Sequence, residues 1–407
     1  MEVVLILLSL TSVLAQQAPL LNFDLPDKIK DEYIVEFYSN ATDDQVLKHM
    51  KMLTVLLEGT NDVEKAGITR EYNFGGFKAY AFRGNIEAVN FIRRMPEVKH
   101  IEANHVVKAL QSCYQQTFAE WGLVRSTERG LNLSGIYRYT SNTGEGVDVY
   151  ILDTGIYLQH NDFEGRAVWG TDTVETPSPK RDGNGHGTHV AGSVMGTRYG
   201  LAKDATAIAV RVLDDAGSGT LQMVIDGVNW VAQHYQDKRK QTNSAKGAVA
   251  NMSLGGPFSQ SENNAVAAAI RTGISFVVAA GNEKADACDT SPASEPSAIT
   301  VAATNSADLQ WESTNYGRCV DILAPGEGIT AAWIDSPYSI TTITGTSMAA
   351  PHVAGAIAKY LSAQSRVPSP SAVKSWLDTS TTKDRIQLAP WAKFAGTPNK
   401  LLYYKEC

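Results

Sequence analysis

From about Gly144 to Ala324 the chain repeats a pattern that few folds accommodate: short apolar runs rich in β-branched and small residues, separated by helix-length segments. The runs are Val147–Leu152, Ala207–Leu213, Ala248–Leu254, Ile274–Ala280, Ile299–Ala303 and Cys319–Ala324. A strand wetted on one face would alternate apolar and polar residues, because successive side chains point to opposite faces. Continuous runs between helices instead call for a parallel sheet covered on both faces. One covering helix is legible, since Leu221, Val224, Ile225, Val228, Val231, Ala232 and Tyr235 form an apolar helical stripe. The expected fold class is therefore α/β, a parallel β-sheet flanked by helices.

The chain changes character near residue 110. Before that point Tyr33–Phe37 reads as a strand, and Val46, Leu47, Met50, Leu53, Leu56 and Leu57 give a helix over about Asp43 to Leu57. A strand at Lys78–Arg83, a helix at Ile86–Arg94 and a last strand at Val98–Glu102 follow. These elements fit the β-α-β-β-α-β order of a small ferredoxin-like α+β domain. Ahead of it, the apolar run Val3–Leu8, resumed at Leu10, closes on Val13-Leu14-Ala15. The run is too short for the roughly 20 residues that a bilayer requires. It reads as a secretory signal, although Glu2 stands where a positive residue is usual. The expected organisation is a signal peptide at 1–15, a leader at 16–110 with its ferredoxin-like core at about 33–107, and a main domain at 111–407.

No later apolar stretch is long enough for a membrane helix, so a soluble product without a membrane partner is expected; the export signal makes it extracellular, and a monomer is expected. The formal net charge is -7, with no dense basic stretch to follow phosphates, which argues against nucleic acid as partner. Four cysteines, Cys113, Cys288, Cys319 and Cys407, suit export. None lies in a C-x-x-C pair, so a zinc cage or redox motif is not expected, and three pairings stay open.

Three segments carry reactive side chains at the edges of elements. In Val149-Tyr-Ile-Leu-Asp153-Thr-Gly155 an acid closes a buried strand; alone it would read as a turn-capping Asp. In Asp182-Gly-Asn-Gly-His186-Gly-Thr-His189 glycines surround a histidine at a helix mouth, where a substrate backbone can approach closely. His186-x-x-His189 has the wrong spacing for a zinc protease and lacks its glutamate, so His189 reads as a packed helix residue. In Gly345-Thr-Ser347-Met-Ala-Ala-Pro351 a serine opens an Ala-rich helix, beside free N–H groups and the positive dipole end. Pro351 is anomalous, since a proline inside a helix removes a hydrogen bond. Together Ser347, His186 and Asp153 supply a nucleophile, a base and an orienting acid, in a chain order known from subtilisin.

These segments resemble the subtilisin-like serine proteases (peptidase family S8), in the proteinase K branch. The likeness runs from about Trp121 to the helix near Asp378. It takes in Arg181-Asp-Gly-Asn-Gly-His186, Leu213-Asp-Asp-Ala-Gly-Ser-Gly219, Ser253-Leu-Gly-Gly256 and Ser291-Pro-Ala-Ser-Glu-Pro296. The resemblance implies an active endopeptidase acting on polypeptides, with Asn282 completing an oxyanion hole opposite the Ser347 N–H. It implies that substrate backbone pairs with Ala216-Gly217-Ser218-Gly219 and Ser253-Leu254-Gly255, and that Ala279, Ala280 and Gly281 wall a roomy apolar P1 pocket. The leader would be an inhibitory propeptide, the enzyme's own intramolecular partner, self-cleaved near Leu110. Calcium would be held by Asp321 and the carbonyls of Pro296 and Ala298, with a weaker site near Asp384. Cys288 would pair with Cys319, and Cys113 with Cys407 near the two ends of the mature chain. The alternative from another class is a catalytically inactive relative that only binds. Asn40, Asn132 and Asn251 begin N-x-Ser/Thr acceptor patterns, of which Asn132 suits the mature surface.

Overall fold

The computed structural model describes residues 17–24, 28–58, 65–106, 113–174, 180–241 and 246–407. The expected signal peptide and the processing point near Leu110 lie outside these residues. The chain divides into two units, Met1–Leu110 and Gln111–Cys407.

The first unit contains β1 (Leu20–Leu21), β2 (Lys28–Phe37), α1 (Asp43–Glu58), β3 (Gly67–Phe74), β4 (Phe77–Arg83), α2 (Ile86–Ile92) and β5 (Val98–His105). Its sheet order is β1-β5-β2-β4-β3, and the last four strands pair antiparallel, as a ferredoxin-like domain requires. Tyr33, Val35 and Phe37 of β2 are buried with Leu53, Leu57, Val89 and Ile92 of the two helices. The sequence did not reveal β3. It is an edge strand without a single buried residue, so it carries no apolar alternation.

The second unit is built on β6 (Asp148–Asp153), β7 (Ala167–Asp172), α3 (His186–Met195), β8 (Thr206–Arg211), α4 (Leu221–Gln241), β9 (Ala248–Met252), α5 (Gln260–Arg271), β10 (Ser275–Ala279), β11 (Ile299–Thr304), β12 (Ile322–Pro325), α6 (Thr346–Ser362), α7 (Pro370–Ser380), β13 (Thr382–Lys383) and β14 (Lys400–Leu401). The sheet runs β13-β14-β12-β11-β10-β9-β6-β8-β7. Every pair from β12 across to β7 is parallel. Each residue of β6, β9, β10 and β11 is buried. Alternate side chains explain why: Val149 and Ile151 join a core with α3 and α6, while Tyr150 and Leu152 join one with α4 and α5. Each fully buried aliphatic side chain contributes about 1.5–3 kcal/mol relative to exposure. Having no wet face, these strands need no polar alternation. A parallel sheet also sends every strand's carboxyl end to one edge, and α/β proteins place their sites there.

Two disulfides form, Cys113–Cys407 and Cys288–Cys319. The first closes 294 residues, a loop for which the chain-entropy model gives about 5–6 kcal/mol. Beside it, the C-terminal Glu406 forms an ion pair with Lys359 of α6, with the two side chains 3% and 0% exposed. Tyr137 Oη and the Thr140 N–H also donate to the Glu406 carboxylate, at 3.2 Å each. Burial drives the Lys359 pKa down and the Glu406 pKa up, and each partner's charge acts against that drift. Removing one member would strand the other in an apolar site. Glu406→Ala is therefore expected to cost about 3–5 kcal/mol in denaturant unfolding. The paired apolar replacement Lys359→Met with Glu406→Leu should recover most of that loss.

Candidate active site

Three strand ends and two helix starts converge at the carboxyl edge of the second unit's sheet. Asp153, the last residue of β6, is fully buried. Its Oδ1 accepts from the Thr154 N–H at 2.7 Å, and its two oxygens lie 2.8 and 3.0 Å from His186 Nδ1. His186 is the first residue of α3. Burial alone would lower its pKa; the Asp153 charge and hydrogen bond, helped by Asp182, reverse that and leave it raised. The Asp153 carboxylate thus holds Nδ1 and leaves Nε2 for the cleft.

The loop leading to His186 is held by Asp182, a residue sequence reasoning quoted but gave no role. Its carboxylate accepts from the N–H groups of Asn184, Gly185 and Thr188 and from the hydroxyls of Thr154 and Thr188, all within 3.0 Å. An Asp four residues before the helix, in a Gly-rich turn, was the available signal for such a clamp. The packing leaves no room for side chains at two glycines. A Cβ on Gly187 would lie 2.2 Å from the Gly155 carbonyl oxygen. Gly155 itself has φ +111°, a left-handed conformation, and a Cβ there would lie 2.9 Å from the Arg181 carbonyl.

Ser347 opens α6 behind Gly345 and Thr346. Its Oγ donates to the carbonyl oxygen of Ser253 at 3.2 Å, just past β9. In return the Ser253 hydroxyl donates to the Ser347 carbonyl at 2.8 Å. Pro351 accounts for this exchange: it has no N–H for the carbonyl four residues earlier, so that carbonyl is open to Ser253. The anomaly of a proline in the helix is thus resolved without breaking α6. Asn282, three residues past β10, is held through its Oδ1, which accepts from the Thr346 N–H and hydroxyl at 2.9 Å each. That anchorage leaves Nδ2 as a donor on the side of Gly345.

A cleft of about 880 Å³ opens beside His186 and Ser253. It is lined by His186 and by Gly217, Ser218, Gly219, Ser253, Leu254 and Gly255, the expected substrate-binding segments. Ala279, Ala280 and Gly281 lie outside this lining, at the end of β10, where the Gly281 N–H donates to Thr346 Oγ1 at 3.1 Å. His189 is fully buried and its Nε2 lies 3.1 and 3.2 Å from the carbonyls of Ile329 and Thr341. Burial pushes its pKa down to about 4, so it is a packed neutral histidine.

The calcium expectation needs correction. Asp321 and the carbonyls of Pro296 and Ala298 do converge, but on a cation the protein itself carries. The ammonium of Lys374, on α7, donates to Pro296 O at 2.9 Å, to Ala298 O at 2.6 Å and to Asp321 Oδ2 at 3.0 Å. An ammonium so placed satisfies the same oxygens and repels a metal ion, so these residues do not fit calcium. Among the described residues no group of three or more His, Cys, Asp or Glu is placed to hold a metal. The sequence signal was a lysine 53 residues beyond Asp321, which the motif did not include. Lys374→Ala should lower the thermal midpoint by about 2–4 °C. Millimolar calcium should restore part of that loss in the variant and leave the wild type unchanged, as read by calorimetry.

Comparison with known proteins places the geometry in a class. Residues 144–396 match the subtilase family of peptidases, and residues 32–110 match the peptidase inhibitor I9 family. The chain belongs to the subtilase family, with an I9 leader ahead of its peptidase domain. It is 41% identical over 95% of its length to a subtilisin-like protease of Coccidioides posadasii, covering 83% of that protein. It is 42% identical over 94% of its length to an extracellular serine proteinase of a Thermus species, covering 89% of it. A crystal structure of a cold-adapted subtilisin-like serine proteinase superposes with a TM-score of 0.65 at 44% identity, covering 72% of this chain and all of that one. The chain is accordingly a serine-type endopeptidase. No helix among the described residues is long and apolar enough to cross a membrane.

Proposed function

We propose that the chain is a secreted, self-processing endopeptidase in which Ser347 is the nucleophile, His186 the general base and acid, Asp153 its orienting acid and Asn282 an oxyanion donor. The observation that carries this reading is the His186–Asp153 pair at 2.8 Å in the same cleft as Ser253, whose carbonyl holds the Ser347 hydroxyl. A change of Ser347 rotamer would free Oγ from Ser253 to meet His186. Such catalytic hydrogen bonds are often unmade until substrate arrives. Ser347 Oγ then attacks the scissile carbonyl while His186 Nε2 takes its proton. The carbonyl oxygen becomes an oxyanion between the Ser347 N–H and Asn282 Nδ2. His186 returns the proton to the leaving amine, and water, activated the same way, releases the acyl group.

The substrate is a polypeptide in extended conformation, bound by backbone between residues 217–219 and 253–255, with broad preference for large apolar side chains at P1. The leader is proposed to fold as an intramolecular inhibitor and to be cut near Leu110. The apolar amino-terminal run supports export by a signal peptide.

A fluorophosphonate probe should label Ser347 once the leader is removed, and Ser347→Ala should stay full length in a protease-free host. Absence of label from processed protein would sink the reading. Asn282→Ala should lower kcat about 100- to 1000-fold with KM nearly unchanged. The base must be neutral to act, and its pKa is raised. The acid limb of kcat/KM should therefore have its midpoint above the ordinary histidine value of about 6.5. Asp153→Asn removes the charge that raises it, so the midpoint should fall as activity drops.

A further inference from the structure

The cleft contains a carboxyl group with no assigned task. Glu262 lies in the first turn of α5, is 5% exposed, and lines the cleft, whose lining does not include Ala279–Gly281. Its place in the sequence suggests an ordinary structural role. Ser259-x-x-Glu262 is the spacing of a capping box, in which the N-cap hydroxyl and the acid exchange backbone hydrogen bonds. Only half of that box forms. Ser259 Oγ accepts from the Glu262 N–H at 3.3 Å, but the Ser259 N–H is taken by Ser291 Oγ at 2.8 Å. The Glu262 carboxylate therefore has no cap to make. It forms no ion pair and no side-chain hydrogen bond among the described residues, and burial alone pushes its pKa up to about 7.

The surroundings define what such an acid can serve. Leu213, Leu221, Val224, Leu254 and Phe258 line the cleft around it, and His186 is the only other titratable residue among the described lining. An apolar cup with one unpartnered acid suits a side chain with a hydrocarbon stem and a cationic head, since arginine and lysine bury their stems and pair their heads. A neutral side chain would fill the cup and leave the acid unpaired; an acidic one would set like charges together in a poorly solvated place.

We propose that Glu262 is a specificity-determining residue, which selects arginine or lysine at a position upstream of P1 in the substrate peptide. The inference rests on the endopeptidase reading above. It divides the cleft into a neutral, apolar P1 region and an acidic cup further along the non-primed side. Substrates would be polypeptides in which a basic residue precedes the apolar residue at the cut.

The test uses the processed full chain and peptidyl-coumarin amides of the form Xaa-Ala-Ala-Phe, with arginine, norleucine or glutamate placed in turn at each of the three positions before Phe. Fluorophosphonate titration sets the concentration of folded sites for every variant, so a poorly folding variant is compared per active site. At pH 8.5, where Glu262 is ionised, arginine should exceed norleucine about tenfold in kcat/KM at one position, with glutamate lowest. In Glu262→Gln the arginine-to-norleucine ratio should fall to about one to three, and Glu262→Asp should keep part of it. A flat ratio in the wild type at every position, or a ratio that survives Glu262→Gln, overturns the proposal while the enzyme reading stands. Failure to titrate any site in the wild type overturns both.

Discussion

Pro351 withholds an N–H from the carbonyl of Ser347, and the site depends on what takes its place. In an uninterrupted helix that carbonyl would be tied into α6 by its i+4 partner. Here it accepts the hydroxyl of Ser253, while Ser347 Oγ donates to the Ser253 carbonyl. The start of α6 is thereby fastened to the segment that follows β9. Ser347 and one wall of the cleft are thus joined by two hydrogen bonds. The same fastening extends through Thr346, which links Asn282 and Gly281 by side-chain and backbone hydrogen bonds within 3.1 Å. Gly281 and Asn282 are thus set relative to Ser347 by short bonds rather than by loop stiffness.

The other half of the site is set by carboxylates. Asp153 is fully buried beneath His186, and Asp182 ties the turn before α3 to Thr154 and Thr188. Two buried acids a few residues from one imidazole would be costly if either lacked donors. Both are richly supplied, so the cost of burying charge is offset locally and the imidazole orientation follows. The glycines at 155 and 187 belong to this arrangement, because the backbone must pass within contact distance of Asp153 and Arg181.

Much of the fold was legible because burial leaves a strong pattern. The runs from Val147 to Leu152 and from Ile299 to Ala303 became β6 and β11, each buried on both faces. Gly67–Phe74 and Ala167–Asp172 were not legible, since both are strands with little or no buried surface. At the site, residues carrying chemistry stood out through motif spacing, and the structure brings Asp153 to His186 and Ser347 to Ser253 and Asn282's partner Thr346. What the sequence concealed were contacts between segments distant in sequence. Thr154's bond to Asp182, Ser253's reply to Pro351 and Lys374's reach to Asp321 all need three-dimensional proximity that no local pattern encodes.

Lys374 and Glu262 show two opposite outcomes for a charge near the surface of a parallel-sheet enzyme. At Asp321 three oxygens converge, and an ammonium from α7 satisfies them from within the chain. A covalently tethered cation needs no recruitment from solvent, so its occupancy does not depend on metal concentration, and its attraction falls on one helix. At Glu262 the reverse holds: the chain supplies an acid and no partner, and Ser291 has removed the cap that would have used it. A buried group without a partner is normally eliminated or shifted toward neutrality, because desolvation opposes its charge. Retaining one inside a cleft is consistent only if something from outside completes it, and in a cleft that takes peptides the completing group is a side chain of the substrate.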